Sequence, residues 1–393
     1  MCDKLSPVRN GQLTQTHTLY SRIVLSCISE LFFRMQQHLS ANMKQPEFVI
    51  LGGGIVGLSC AVRLLEKYPE ASLHIIGEHF SPHTTSDVAA GLWGPYALGN
   101  TSETACRKWA KDTHTYMHQL WRSGQAEQCG LCLVPVVELF RAEEETTPWW
   151  HDIVFGFQSH RLQPERTEFL GHKLGQNMYR MGISYITFTC EPTRLMNHYR
   201  KILSAHKVQF RTARLESLRC LTKLKINSNA IIINCLGLGA HHVVGDAELG
   251  PIRGQVQKVN AEGVFHSFAN DECYIIPNTD TVTLGGTKQK STRTSPCPVD
   301  RYMIRTNCTA IVPSLGEARL LKDAVGLRPV RSSGVRVEME KVYLFDGKHG
   351  KQASLLVHNY GHGGAGITLA WGCAGEVVHL VEREMGSSIE SKL

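Results

Sequence analysis

The chain has 393 residues, of which 42% are hydrophobic and 20% are charged. This composition excludes extensive disorder and is sufficient for two domains of ordinary size. The formal net charge is +7 with 19 histidines, but the lysines and arginines are scattered and no nucleic-acid motif is present, so no nucleic-acid partner is expected.

The thirteen cysteines are odd in number and irregularly spaced, which favours free thiols in a reducing compartment over a disulfide framework. Cys129 and Cys132 form an isolated CxxC with no second pair at zinc spacing, so no metal site is expected.

Residues 1–46 are interpreted as an N-terminal extension without a motif of its own. The apolar run from Ile23 to Phe33 is interrupted by Glu30 and is shorter than the about 20 residues that cross a bilayer, so no membrane span is expected. The extension contains a second methionine, Met43. The sequence leaves open whether the segment is a helical extension, a targeting segment or an upstream start.

A strand, a tight turn and a helix are predicted next. Phe48–Leu51 is a short apolar run that ends at Gly52, and Ile55–Lys67 continues with apolar residues at helical spacing. A second apolar run, Leu73–Gly77, completes a βαβ unit of about 30 residues.

Gly52, Gly54 and Gly57 form a GxGxxG motif in this turn. Such glycines allow a tight turn, a close approach of the backbone to a pyrophosphate and close packing of the helix, whose positive N-terminus attracts the phosphates. Glu78, about 20 residues beyond the motif, can bind ribose hydroxyls. A purely structural turn is the alternative, and the motif does not separate FAD from NAD. The predicted cofactor contacts in the turn are Gly52, Gly53, Gly54, Ile55, Val56 and Gly57.

A segment of hydroxyl-bearing and small residues follows at positions 84–93. Thr84, Thr85 and Ser86 offer hydroxyls for a phosphate, and the small residues up to Gly91 and Leu92 allow a flat ring to approach. On composition alone, an N-cap followed by a packed helix start explains the segment equally well.

After the βαβ unit, the sequence predicts a region of different architecture and then a return to the nucleotide-binding part. Residues 93–193 and 251–286 have features of mixed or antiparallel sheet, whereas Leu195–Ser204 is a predicted helix and Ala230–Cys235 a predicted buried strand. The domains are therefore expected to be interleaved along the chain.

A glycine-rich loop near the C-terminus leads from an apolar strand into a predicted helix, Leu369–Arg383. Backbone N–H groups at a helix N-terminus would stabilise the negative charge of a reduced flavin near N1, and a tight glycine turn is the alternative. The predicted cofactor contacts in this loop are Gly363, Gly366, Ile367 and Thr368.

Together these motifs resemble the D-amino-acid oxidase and D-aspartate oxidase family. Residues 356–374 resemble its signature, TTSDVAAGLW resembles its flavin loop, and the similarity continues through NCLGLG, PIRGQ, TLGGTKQK and GLRPVR. The resemblance implies an α/β fold in which a Rossmann-like FAD-binding domain is interleaved with a substrate domain of mixed or antiparallel sheet. The implied FAD-binding domain comprises residues 47–92, 194–250 and 326–390, and the implied substrate domain comprises residues 93–193 and 251–325.

The reaction implied by the resemblance is the oxidative deamination of a D-amino acid by FAD and molecular oxygen, which gives a 2-oxo acid, ammonia and hydrogen peroxide. Arg328 is the implied carboxylate ligand, because a guanidinium grips a carboxylate through two parallel hydrogen bonds. Tyr274 is implied to help bind that carboxylate, Gly364 to contact the amine and Leu215 to contact FAD. Apart from the resemblance, Arg328 would be a surface ion-pair residue and Tyr274 a sheet aromatic.

The motif strings look closer to the D-aspartate branch, in which an acidic side chain needs a second cation. Lys288 stands where that branch usually has an arginine, although a solvated lysine is the alternative. Ser267 replaces another arginine of the aspartate branch, Asn270 replaces a lid tyrosine of the neutral branch, and Gly94 falls where both carry a polar residue. D-aspartate or D-glutamate is the predicted substrate, with neutral D-amino acids as the alternative.

Ser391, Lys392 and Leu393 spell the peroxisomal address SKL, which predicts a location in the peroxisome matrix and an import receptor as a partner. Two other classes remain open. An NAD-dependent dehydrogenase shares the GxGxxG motif, and a catalytically inactive relative would bind flavin without turnover.

Overall fold

The computed structural model describes residues 45–141, 147–163, 168–169, 172–173, 179–224, 226–347 and 350–390. Most of the predicted N-terminal extension and the tripeptide Ser391-Lys392-Leu393 lie outside the described residues.

The chain forms sixteen strands and eight α-helices in the described residues. In chain order the strands are β1 (Glu47–Gly53), β2 (Ser72–Phe80), β3 (Leu131–Phe140), β4 (Phe155–Arg161), β5 (Glu168–Phe169), β6 (His172–Lys173), β7 (Met181–Cys190), β8 (Gln209–Thr212), β9 (Ile231–Asn234), β10 (Leu249–Asn260), β11 (Ser267–Ala269), β12 (Tyr274–Pro277), β13 (Val282–Gly285), β14 (Arg319–Arg331), β15 (Arg336–Gly347) and β16 (Gly350–Tyr360). The α-helices are α1 (Ile55–Lys67), α2 (Thr85–Val88), α3 (Glu103–Arg122), α4 (Ala126–Cys129), α5 (Pro192–Ala205), α6 (Ala240–Val243), α7 (Pro298–Ile311) and α8 (Gly366–Glu390).

The smaller of the two principal sheets has the strand order β15-β16-β9-β1-β2-β8. Strands β16, β9, β1, β2 and β8 pair in parallel, and β15 is antiparallel to β16. Phe48–Leu51 at the centre is completely buried, as expected for a parallel strand that is covered on both faces. The predicted βαβ unit is confirmed, because β1, α1 and β2 follow one another and the two strands are parallel.

The larger sheet has the order β14-β10-β13-β12-β11-β3-β7-β4. Its strands pair in antiparallel fashion, except that β3 and β11 run parallel. The chain builds β1 and β2 of the smaller sheet, crosses to β3, β4 and β7, returns for β8 and β9, crosses again for β10 to β14, and ends in β15 and β16. The predicted α/β class with a mixed sheet is confirmed.

Two predicted domain boundaries fall inside strands of the larger sheet. The boundary at 250/251 lies within β10, and the boundary at 325/326 lies within β14, which pairs with β10 from Arg319 to Arg331. Residues Gly326–Arg331 therefore belong to the larger sheet, and the return to the smaller sheet follows Arg331.

Helix α3 lies in a region where sheet was expected. Its buried face carries Thr113 and His114 beside apolar residues such as Trp109 and Met117, and these polar residues conceal the helical spacing in the sequence. The helix packs against α8, where a Cβ on Gly372 would lie 2.2 Å from the Trp109 carbonyl oxygen. Helix α7 was also not predicted.

Among the described helices, none has both the length and the apolar character of a transmembrane segment. The described cysteines are free thiols, including Cys129, which is buried, and Cys132.

Candidate active site

A cavity of about 930 Å³ is lined by residues of both principal sheets, and its volume is within the range of about 300 to 1,000 Å³ that is typical of ligand pockets. Most of the residues selected from the sequence line it. They are Gly52, Gly53, Gly54, Ile55, Val56, Glu78, Thr84, Thr85, Ser86, Gly91, Leu92, Leu215, Tyr274, Lys288, Arg328, Gly363, Gly364, Gly366 and Ile367. Gly57 and Thr368 were also selected but are not among the lining residues.

The glycine turn between β1 and α1 has no room for side chains. Gly52 has φ of 115°, and a Cβ there would lie 2.3 Å from the carbonyl oxygen of Cys235 at the end of β9. A Cβ on Gly57 would lie 2.0 Å from the Gly52 carbonyl oxygen, so Gly57 acts by letting α1 approach the turn. The Ile55 N–H donates a hydrogen bond to Ser86 Oγ at 3.1 Å, which joins the turn to the segment at 84–92.

The segment at 84–92 contains a capped helix and also lines the cavity. The Thr84 N–H and hydroxyl donate hydrogen bonds to Asp87 Oδ2 at 2.9 and 2.7 Å, at the start of α2. Gly91 follows with φ of 85°, where a Cβ would lie 1.9 Å from the Cys190 carbonyl oxygen. The Asn278 amide donates hydrogen bonds to the carbonyl oxygens of Ala90 and Cys190 at 2.9 and 3.3 Å, a fixing role that the sequence did not indicate.

The C-terminal glycine loop supplies another wall. Gly363 has φ of 54°, and a Cβ there would lie 1.9 Å from the Ala97 carbonyl oxygen. His362 lines the cavity but is buried, and its Nε2 has no hydrogen-bond partner within the described part of the chain. Burial lowers the pKa of His362 to about 4, so this imidazole is neutral at pH 7. Thr368 instead positions Gly94, whose N–H donates to Thr368 Oγ1 at 3.1 Å.

Arg328 lies half-buried at the cavity wall. Its Nη1 donates a hydrogen bond to the Thr287 carbonyl oxygen at 3.0 Å, and no carboxylate in the described ranges forms an ion pair with it. Its guanidinium occupies space that only glycine leaves open on the neighbouring strand, because a Cβ on Gly254 would lie 2.4 Å from Nη2. A guanidinium has five N–H donors, so Arg328 retains donors for an anionic ligand.

Tyr274, on β12, lies beside Arg328, which is on β14. Its ring packs on Gly285 and Gly286, where Cβ atoms would lie 2.0 and 2.7 Å from ring and hydroxyl atoms. Burial raises the pKa of the Tyr274 phenol, and the nearby Arg328 charge opposes that rise. The phenol is therefore protonated at neutral pH and can donate a hydrogen bond.

Lys288 is exposed at the cavity rim, with its Nζ 5.6 Å from the centre of the Tyr96 ring. Tyr96 also lies 5.8 Å from the Arg328 guanidinium carbon, and its ring covers Gly364. The two cations and the predicted amine contact therefore surround one aromatic ring. Tyr96 lies three residues after the segment at 84–93, but it was missed because no local pattern shows that its ring reaches Lys288 and Arg328.

Arg253 fixes the segment that carries Lys288. It is completely buried and pairs with Asp300 at 2.7 Å, while its backbone exchanges hydrogen bonds with Gln289 at 2.8 and 3.0 Å. The arginine of the PIRGQ string is thus structural, and the glycine that follows it makes room for Arg328.

The sequence departs from the family pattern at Ser267, Asn270 and Gly94, and only two of these three residues lie at the cavity. Ser267 is completely buried and is not among the residues that line the cavity, whereas Asn270 and Gly94 do line it. Asn270 Oδ1 accepts the backbone N–H groups of Glu272 and Cys273, each at 2.8 Å, so its side chain organises its own loop. An acid that the sequence did not indicate, Glu138 on β3, also lines the cavity.

Residues 47–380 match the protein family described as FAD dependent oxidoreductase. The chain belongs to this family. The match decides between the two nucleotides that the glycine motif left open, and the predicted family and FAD cofactor are confirmed. A human D-aspartate oxidase is 35% identical over 343 residues, which cover 86% of this chain and 95% of that protein.

Two further proteins extend the comparison. A D-amino acid oxidase of Dugesia ryukyuensis is 32% identical, with 84% of this chain and 96% of that protein covered. Among solved structures, glycine oxidase from Geobacillus kaustophilus has a TM-score of 0.63 at 17% identity, with 86% of this chain and 94% of that chain covered. This similarity supports the FAD-dependent oxidoreductase fold.

The residues of the cavity fit FAD. The glycine turn opens at the N-terminus of α1, where backbone N–H groups favour phosphate, and Glu78 lines the same cavity. The buried His362 Nε2, which has no hydrogen-bond partner among the residues described, is a polar atom at the cavity wall that is available to a ligand.

We predict that Gly57→Ala weakens FAD binding by about tenfold or more, because its methyl group would force α1 away from Gly52. Overpacking of this kind costs about 1 to 3 kcal/mol. Titration of the apoprotein with FAD, followed by flavin fluorescence, measures the dissociation constant. The matched control is Gly250→Ala, where a Cβ meets nothing within 4 Å. Equal affinities in the two variants would contradict the prediction.

Proposed function

We propose that this FAD-dependent oxidoreductase catalyses the oxidative deamination of D-amino acids, with oxygen as the final acceptor and a 2-oxo acid, ammonia and hydrogen peroxide as products. The observation that carries the proposal is the half-buried Arg328, whose donors face the cavity without a carboxylate partner in the described ranges. Relatives named D-aspartate oxidase and D-amino acid oxidase support this substrate class.

When bound, FAD supplies the electron acceptor of the reaction. Arg328 binds the substrate carboxylate in a bidentate manner, and the protonated Tyr274 hydroxyl donates a further hydrogen bond to it. The Gly364 backbone, which is exposed, contacts the amine. Tyr96 limits the space above that contact, so the protein contributes mainly by fixing the orientation of the substrate.

An acidic substrate is proposed as the preferred one, and D-aspartate in particular. Lys288 supplies a second cation near Arg328, since both lie within 6 Å of the Tyr96 ring, and Lys288 has no ion pair among the described residues. A short side-chain carboxylate can therefore reach Lys288 while the other carboxylate is held by Arg328. The similarity to human D-aspartate oxidase supports this preference.

A peroxide assay with D-aspartate, D-alanine and their L-forms tests the proposal. We expect the D-forms alone to produce peroxide, D-aspartate faster than D-alanine, and Arg328→Leu to lose about 100-fold or more in kcat/KM, because removing one partner of a buried charge pair costs about 2 to 5 kcal/mol. The flavin absorbance of the variant confirms that FAD is retained. Flavin that keeps its colour anaerobically with every D-amino acid would instead indicate an inactive relative.

Lys288→Met separates the acidic from the neutral substrates. We expect kcat/KM for D-aspartate to fall by about 10- to 100-fold, since a charge-assisted hydrogen bond contributes about 1.5 to 3 kcal/mol, with a change of less than about twofold for D-alanine. Lys290→Met, at a neighbouring exposed lysine, is the matched control. An equal loss for both substrates would show that Lys288 is a structural residue.

We also propose that Ser391, Lys392 and Leu393 direct the protein to the peroxisome matrix through the import receptor, a location that suits a producer of peroxide. With a fluorescent protein fused at the N-terminus, we expect punctate signal that coincides with a peroxisomal marker, and diffuse signal once Leu393 is deleted. Diffuse signal from the intact tripeptide would refute the assignment.

A further inference from the structure

Glu138 is an acid in an otherwise apolar strand, and the register of the larger sheet turns it toward the cavity. It pairs with Ala269 of β11, which pairs with Tyr274 of β12. Directly paired residues project to the same face of a sheet. Glu138, Ala269 and Tyr274 all line the cavity, so the carboxyl group shares a face with the substrate-binding tyrosine.

The strand order of the larger sheet sets how far Glu138 lies from Tyr274 and Arg328. Glu138 and Tyr274 lie two strands apart, which places their backbones roughly 10 Å from each other at about 4.8 Å per strand. Arg328 lies beyond Tyr274 on the far side from Glu138, because β13 and β10 separate β12 from β14. A long substrate side chain that runs along the sheet from Arg328 past Tyr274 therefore extends toward Glu138.

Glu138 is half-buried and has no cationic partner in the part of the chain that is described. Its Oε1 accepts a hydrogen bond from the Tyr185 hydroxyl on the adjacent strand β7, and none of the described residues donates to Oε2. Burial raises the pKa of the Glu138 carboxyl, and the Tyr185 hydrogen bond opposes that rise. Glu138 lines the cavity, and its Oε2 is not among the buried polar atoms that lack a partner in the described residues. Oε2 is therefore available to accept a hydrogen bond from a ligand in the cavity.

We propose that Glu138 is a specificity-determining residue that faces the end of a long substrate side chain, favours side chains that donate a hydrogen bond, such as amides and amines, and disfavours a second carboxylate. The inference rests on the proposed oxidation of D-amino acids and deepens it. A short acid such as D-aspartate keeps its second carboxylate near Lys288. The longer D-glutamate brings that carboxylate toward Glu138, whereas D-glutamine, which has the same shape, brings an N–H donor.

The test compares these two substrates of equal length. We expect kcat/KM to be about tenfold or more higher for D-glutamine than for D-glutamate, and Glu138→Gln to bring the ratio to within about threefold. Glu138→Asp keeps the negative charge and is expected to retain the preference for D-glutamine. Glu262→Gln removes an exposed charge outside the cavity and is the matched control, with an unchanged ratio.

A binding measurement keeps this inference separate from the proposed reaction. Glutarate and its monoamide lack the amino group and cannot be deaminated, so their dissociation constants for the FAD-loaded protein are measurable whether or not any D-amino acid is oxidised. We expect the monoamide to bind about tenfold more tightly and Glu138→Gln to remove the difference. A preference that persists in Glu138→Gln, or a wild-type protein that favours glutarate and D-glutamate, would overturn the inference. The same binding preference without turnover of any D-amino acid would support Glu138 and refute the proposed reaction instead.

Discussion

A positive charge that is half-buried without a carboxylate partner in the described ranges is the constraint on which the site depends. The Arg328 guanidinium fits only because Gly254 leaves space beside it, and Tyr274 reaches it only because Gly285 and Gly286 lie beneath the tyrosine ring. At all three glycines, the space that a side chain would fill is occupied by Arg328 or Tyr274 instead. A buried charge requires a complement, and the substrate carboxylate of the proposed reaction has the charge to provide it.

The cofactor side of the cavity follows from strand order. β16, β9 and β1 are parallel neighbours, so their carboxyl ends lie at one edge of the smaller sheet, where α/β folds bind nucleotides. Gly52 lies at the carboxyl end of β1, and the loop after β16 contains Gly363. Motifs that are about 300 residues apart in the sequence therefore contribute to one wall, and the Cys235 carbonyl oxygen after β9 limits the space between them.

The sequence was sufficient to predict the βαβ unit and to select the glycine turn, the segment at 84–92 and Arg328, which line one cavity, because local spacing or a distinctive motif defines each of them. It was not sufficient for α3, whose buried face includes Thr113 and His114, because periodicity analysis treats such residues as exposed. Nor could the sequence show which of the two arginines of GLRPVR faces the cavity. Arg328 faces the cavity, whereas Arg331 pairs with Asp246 at 2.8 Å, and that difference depends on the orientation of β14. Tyr96, Glu138 and Asn278 act through contacts that only the register and the loop geometry define.

Strand β3 divides its residues between two environments. Val137 and Leu139 pack with Phe268 and Ile275 in the core on one face, whereas Val136 packs in a separate core on the other face, where Glu138 meets the cavity. Residue 138 can therefore be exchanged without repacking the core behind it. The buried Tyr185 hydroxyl keeps its hydrogen bond only where residue 138 still accepts one, so a polar replacement such as Gln conserves folding stability better than an apolar one.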